Sequence, residues 1–221
     1  MVVVVIAGRP IGLGPAETAN AILMAYQGST EAGQAVADAI FGKIDPSGKL
    51  PISWPSDADA PGGDFNGGAP SPLGDQPKFF DQLPGTGSGQ GHAYNPLYPF
   101  GFGLSYTTFT TSGLSVSGPA GGRITVKVTV ANTGGKDGAD VVPVYVHMPT
   151  STGNILRPPQ QLVGFARVEL SAGQSRTVFI AFPTSTLAVT PGDIDGTEPR
   201  QVLPGSYDVQ VGSESAGFVI H

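Results

Sequence analysis

Ile124-Thr-Val-Lys-Val-Thr-Val130 alternates apolar and polar residues without a fault. A period of two places the isoleucine and valines on one face of a strand and the threonines and lysine on the other. That is the pattern of a strand with one buried and one solvated face. The texture continues downstream, where Val141–Met148, Leu162–Leu170, Arg176–Phe182, Ser206–Val211 and Phe218–Ile220 read as further strands. Turn signals separate them at Asn132-Thr-Gly-Gly135, Ser171-Ala-Gly173 and Leu203-Pro-Gly205. Six or seven short strands with no convincing helix predict an antiparallel β-sandwich over residues 105–221. Pro143 inside one of them predicts an edge strand, because proline cannot donate to a ladder.

Sandwiches with this strand count are of the immunoglobulin or fibronectin-III type. The N-terminal half reads differently. Met1-Val-Val-Val-Val-Ile-Ala7 is apolar throughout, which predicts a parallel-sheet strand buried on both faces. Such a strand needs neighbours on each side, so the chain is expected to begin inside a domain. Ala21–Tyr26 reads as a second buried strand, with a short helical stretch around Pro15–Asn20 between the two. Ala32, Ala35, Val36, Ala39 and Ile40 fall on one helical stripe. Ser29 or Thr30 is the expected cap, Glu31 the expected first-turn acid and Gly42 the expected stop. The fold class is therefore α/β plus all-β, with the boundary between residues 1–104 and 105–221.

Between these regions, residues 55–92 hold 15 glycines and prolines among 38 residues and show no hydrophobic period. A loop of that length is functional or a linker. It also explains much of the bulk composition of 33 Gly and 21 Pro in 221 residues. Only 13% of residues are charged and the net charge is −6, with no Lys/Arg cluster. A phosphate-tracking surface cannot be built from that, so no nucleic-acid partner is expected. The absence of cysteine excludes disulfides, zinc ribbons and a thiol nucleophile. No apolar run approaches the ~20 residues that span a bilayer, so no membrane partner is expected. The start lacks the charged region of a signal peptide. Compartment, extracellular or cytoplasmic, stays open.

No nucleophile elbow or phosphate-cradling loop is present. His92, His147 and His221 lack metal-ligand spacing, and neither a metal nor a cofactor is expected. Three residues remain as candidate ligand contacts. Glu31 follows a parallel-type strand, at the sheet edge where open α/β folds bind ligands; its plainer reading is an acid that only complements the helix dipole. His92 and Tyr94 end the Gly-rich loop, where they could offer a donor and an aromatic face to a sugar, or simply pack. Phe165, Tyr145 and Tyr207 do not fall on one predicted face, which argues against a flat sugar-stacking row on the sandwich.

Longer strings are more specific. Val3-Val-Val-Ile-Ala-Gly-Arg-Pro10, Gly28-Ser-Thr-Glu-Ala-Gly-Gln-Ala-Val-Ala-Asp-Ala-Ile-Phe-Gly42, Asp45-Pro-Ser-Gly-Lys-Leu-Pro51 and Tyr98-Pro-Phe-Gly-Phe-Gly-Leu-Ser-Tyr-Thr-Thr-Phe109 resemble, in order, motifs of glycoside hydrolase family 3, the β-glucosidase family. Downstream, Gly138-Ala-Asp-Val-Val142, Arg157-Pro158, Leu162-Val-Gly-Phe165 and Leu203-Pro-Gly-Ser-Tyr207 are similar to its fibronectin-III-like domain. The resemblance implies the second half of an αβα sandwich followed by that domain. It also implies retaining hydrolysis of β-linked glucosides or xylosides, by an Asp nucleophile on an N-terminal barrel and a Glu acid/base. Both would lie upstream of this chain, which alone is expected to be inactive and to supply one wall of the sugar site through Glu31, His92 and Tyr94. Its expected partners are a β-linked oligosaccharide or glycoside and the missing barrel. The Tyr-x-Gly-Tyr-Arg strip of many bacterial members is absent, with Gly85–Gly91 in its place. The alternative is a non-catalytic carbohydrate-binding or adhesion module.

Overall fold

The computed structural model describes residues 1–54, 97–118, 122–148, 160–190 and 199–221. They form two compact units, Met1–Leu104 and Ser105–His221.

In the first unit, β1 (Val2–Val5) runs parallel to β2 (Ala21–Met24), with Val2 opposite Ala21 and Val5 opposite Met24. A 3-10 helix, Gly14–Thr18, lies in the connection and opens on proline, whose missing N–H costs nothing at a first turn. Helix α1 spans Ala32–Ile40. It closes in a Schellman motif: the Lys43 N–H reaches the Asp38 carbonyl and the Gly42 N–H the Ala39 carbonyl, with Gly42 at φ +71°. The core consists of Val5, Leu13, Leu50 and Trp54, with Val3, Ile22, Met24 and Phe102 packed against it. Trp54 is its keystone. Its backbone bridges Tyr98, and its indole N–H donates to the Ile11 carbonyl at 2.7 Å. Tyr98 in turn stacks on Phe102 at 4.9 Å between ring centroids.

Two expectations need correcting here. β1 is not buried on both faces, since Val2 is 53% and Ile6 73% exposed. A sheet of two strands covers only the side on which Val5 meets Trp54 and Leu13. The helix stripe is likewise only partly covered, because Ala39 is buried whereas Ala35 and Ile40 are exposed.

The second unit is a sandwich of two antiparallel sheets, ordered β3-β4-β7 and β6-β5-β8-β9. The strands are β3 (Phe109–Ser117), β4 (Arg123–Asn132), β5 (Gly138–His147), β6 (Gln160–Leu170), β7 (Ser175–Pro183), β8 (Gly205–Val211) and β9 (Glu214–Ile220). The alternation of β4 is realised in full. Ile124, Val126, Val128 and Val130 are completely buried and meet Val142, Val144, Val146 and Val209 from the other sheet. Asn132, at the first predicted turn, is 1% exposed. It accepts from the Thr107 hydroxyl at 2.8 Å and donates to the Lys136 and Leu170 carbonyls, which fixes the β4–β5 corner. At the entry to β8 the buried Tyr207 hydroxyl donates to the Leu203 carbonyl at 2.6 Å, the tyrosine-corner arrangement of immunoglobulin-like sandwiches.

Pro143 does not mark an edge strand. β5 lies between β6 and β8, but it pairs β8 only over Tyr145–His147. Pro143 therefore sits where β5 has β6 as its one ladder neighbour, and its missing N–H breaks no bond to β8.

Candidate functional site

In the first unit the chain leaves β2 at Met24, while the Ala25 N–H still donates to the Val5 carbonyl at 2.9 Å. The next residue reverses direction. Tyr26 has φ +53°, the one positive value at a non-glycine residue among those described. A left-handed backbone costs a residue with a Cβ about 1–2 kcal/mol. The loop that follows is pinned at two further points. A Cβ on Gly8, in the turn after β1, would lie 3.0 Å from the Gln27 amide nitrogen, so the two loops at the carboxyl ends of the strands touch. A Cβ on Gly28 would lie 2.3 Å from the Ala32 Cβ, so only glycine allows the loop to fold onto the first turn of α1.

Glu31 stands at the end of this loop. It is exposed and occupies the N-cap position of α1, where its carbonyl accepts the Ala35 N–H at 3.0 Å. Two details of the predicted helix start are therefore corrected. No side chain caps the helix, neither Ser29 nor Thr30, and Glu31 precedes the first turn instead of lying within it. The Glu31 carboxylate makes no hydrogen bond or ion pair among the described residues. A free carboxylate at the carboxyl edge of a parallel sheet can accept hydrogen bonds from ligand hydroxyls. Asp38 contrasts with it on the same helix, taken up by Gln34 at 2.6 Å and by Lys43 at 3.2 Å.

His92 and Tyr94 lie outside the described residues. Of the three candidate contacts, the structure thus places Glu31. Sequence reasoning missed Tyr26, which it took as the last residue of a strand. No residue-type signal marks it, since left-handed positions are normally read from glycine or asparagine.

On the sandwich, Tyr207 is buried at 1% exposure and stacks on Phe218. Phe165 is 65% exposed and pairs with Pro143, two residues from Tyr145 on the outward side of β5. Tyr145 is half-buried, and that burial pushes its phenol up. Of these three rings Phe165 is the one that is exposed. Among the described residues no group of three His, Cys, Asp or Glu side chains could hold a metal ion. No helix among them is long and apolar enough to cross a membrane.

Residues 1–106 match the glycosyl hydrolase family 3 C-terminal domain, and residues 140–215 match a fibronectin type III-like domain. The chain is 37% identical to a periplasmic beta-glucosidase of Salmonella typhimurium, over 98% of this chain and 28% of that protein. It is also 37% identical to a beta-xylosidase of Formosa agariphila, over 97% of this chain and 28% of that one. Among solved structures it is similar to beta-glucosidase 3B from Thermotoga neapolitana in complex with glucose, at 30% identity and a TM-score of 0.76. That match covers 99% of this chain and 31% of the other. A mutant beta-glucosidase from Listeria innocua in complex with laminaribiose gives 28% identity and a TM-score of 0.73, over 99% and 30% of the two chains. The chain therefore spans just over a quarter of the length of these two curated relatives.

Proposed function

The chain belongs to glycosyl hydrolase family 3, and from that premise we propose that it is the C-terminal part of a retaining β-glycosidase of β-glucosidase type. In this reading the carboxyl edge of β1 and β2 forms one wall of a sugar site, with Glu31, His92 and Tyr94 as contacts to a β-linked glycoside. The sandwich is a stabilising module. The observation that carries the reading is the exposed, unengaged Glu31 carboxylate on the β2–α1 loop, within the part that matches the family's C-terminal domain. Retention requires two carboxyl groups ~5–5.5 Å apart across the scissile bond. The nucleophile and the acid/base are assigned to a barrel domain and sequence outside these residues, so Glu31 binds and does not cleave.

The purified chain, incubated with an aryl β-glucoside, is expected to release no nitrophenol above a buffer blank. Measurable release would overturn the division of labour. The second reading, a carbohydrate-binding module, draws on Phe165, the one exposed ring among Phe165, Tyr145 and Tyr207. It is tested by retention on insoluble glucan, where none is expected.

A further inference from the structure

Among the described residues of the first unit, two side-chain atoms are buried without a hydrogen-bond partner, Glu17 Oε1 and Tyr26 Oη. Tyr26 combines this with the inverted backbone at the start of the loop that carries Glu31. Its ring packs against the cluster of Val5, Leu13, Leu50 and Trp54. Packing alone does not call for this residue. Phenylalanine would anchor the same ring with no orphaned hydroxyl, and glycine would take the left-handed backbone without strain. Local costs concentrated at one residue are characteristic of functional sites held by surrounding structure. Here the surroundings are specific. Ala25 is still laddered to Val5, the Gln27 side chain lies against Gly8, and a Cβ at Gly28 would collide with Ala32. The direction in which the chain leaves β2 is thus decided at Tyr26, and Glu31 follows five residues later, past a Gly28 whose place against Ala32 admits no Cβ.

We propose that Tyr26 is a positioning residue for the sugar wall: its inverted backbone, held by a half-buried ring packed against the core cluster, sets where the Glu31 carboxylate meets a β-glucoside. The inference rests on the sugar-wall reading above. The ring and the turn do the positioning, and the hydroxyl takes no part in it.

The test uses the whole chain, methyl β-glucoside as the probe and amide NMR shifts of Gln27–Ala32 as the readout. The wild type and Tyr26→Phe are expected to titrate alike. Tyr26→Ala, which keeps the strain but loses the anchor, is expected to weaken the response about tenfold, with an unchanged far-UV circular dichroism spectrum as the sign of an intact fold. A Tyr26→Ala chain that titrates like the wild type overturns the proposal. A wild type with no response overturns the sugar-wall reading instead, and positioning is then decided on the loop itself. Amide exchange at Ala32–Ala35 should quicken about tenfold in Tyr26→Ala and not in Tyr26→Phe. Equal rates in all three chains overturn it.

Discussion

Ile124, Val126, Val128, Val130, Val144, Val146, Val209 and Val211 of the sandwich are all fully buried, each facing a partner from the opposite sheet. Among the described residues of the first unit the core cluster comes down to Val5, Leu13, Leu50 and Trp54, while Ile6 and Phe41 are 73% and 87% exposed. The two units are similar in length, yet they close differently. Two sheets bury one face each and need nothing more. Two parallel strands and a short helix have more apolar faces than they can cover with one another. Stability and candidate chemistry are thus divided, with the packed unit bearing the structure and the less covered unit carrying Glu31 and the strained Tyr26.

The same truncation made in both cores is the strongest way to break this contrast. Leu187 is 1% exposed beneath the sandwich and Leu50 is 8% exposed beside Trp54. Leu→Ala substitutions cost ~2–5 kcal/mol depending on how far the site can collapse. Leu187→Ala is expected near the top of that range, about 4 kcal/mol, and Leu50→Ala near the bottom, about 2 kcal/mol, where neighbours have room to relax. Denaturant midpoints read by far-UV circular dichroism for the first and Trp54 fluorescence for the second provide the check. Equal costs would mean that the two cores close equally well.

A gentler pair changes one oxygen. Tyr207 donates to Leu203 from a buried ring, so Tyr207→Phe leaves that carbonyl unpaired and is expected to cost about 1 kcal/mol. The Tyr26 hydroxyl has no partner among the described residues, so Tyr26→Phe is expected to be neutral or slightly stabilising. Thermal melts of the two variants should move in opposite directions or, at the least, unequally. A destabilised Tyr26→Phe would show that its hydroxyl is engaged in solution.

What could be read in advance follows the same division. β4 was legible because both sheets enforce strict alternation, which leaves a period-two imprint in the residues. β3 was not. Its ladder to β4 shifts between Ser112 and Ser115, with Gly113 at φ +67°, so Leu114 and Val116 fall out of step with Phe109. Pro143 misled because proline reports a missing donor, and a strand can be central to a sheet yet singly paired at one residue. At the candidate site, the place of Glu31 on the loop after a parallel strand was legible, and its contact to a sugar is a proposal. Tyr26 was invisible because tertiary anchoring, and not residue type, holds its backbone inverted.

The smallest expected effect lies on the sandwich surface. Arg167 hydrogen-bonds Glu169 along β6, and the bond together with the guanidinium charge holds the Glu169 carboxyl below the usual glutamate range. A carboxyl whose folded value is depressed stabilises the fold above its unfolded value, about pH 4.3, and that contribution is lost as pH falls through the lower folded value. Glu169 is fully solvated, however, and exposed pairs are screened by salt and add little to stability. The expected outcome is therefore a site-specific shift without a measurable change in melting. An NMR titration of Glu169 should show a midpoint below that of free glutamate in low salt, moving upward in high salt and in Arg167→Ala. A midpoint indifferent to Arg167 would remove that arginine as the cause. A melting temperature that followed the Glu169 midpoint would show that the sandwich depends on its surface charge, against the view that its buried valines set its stability.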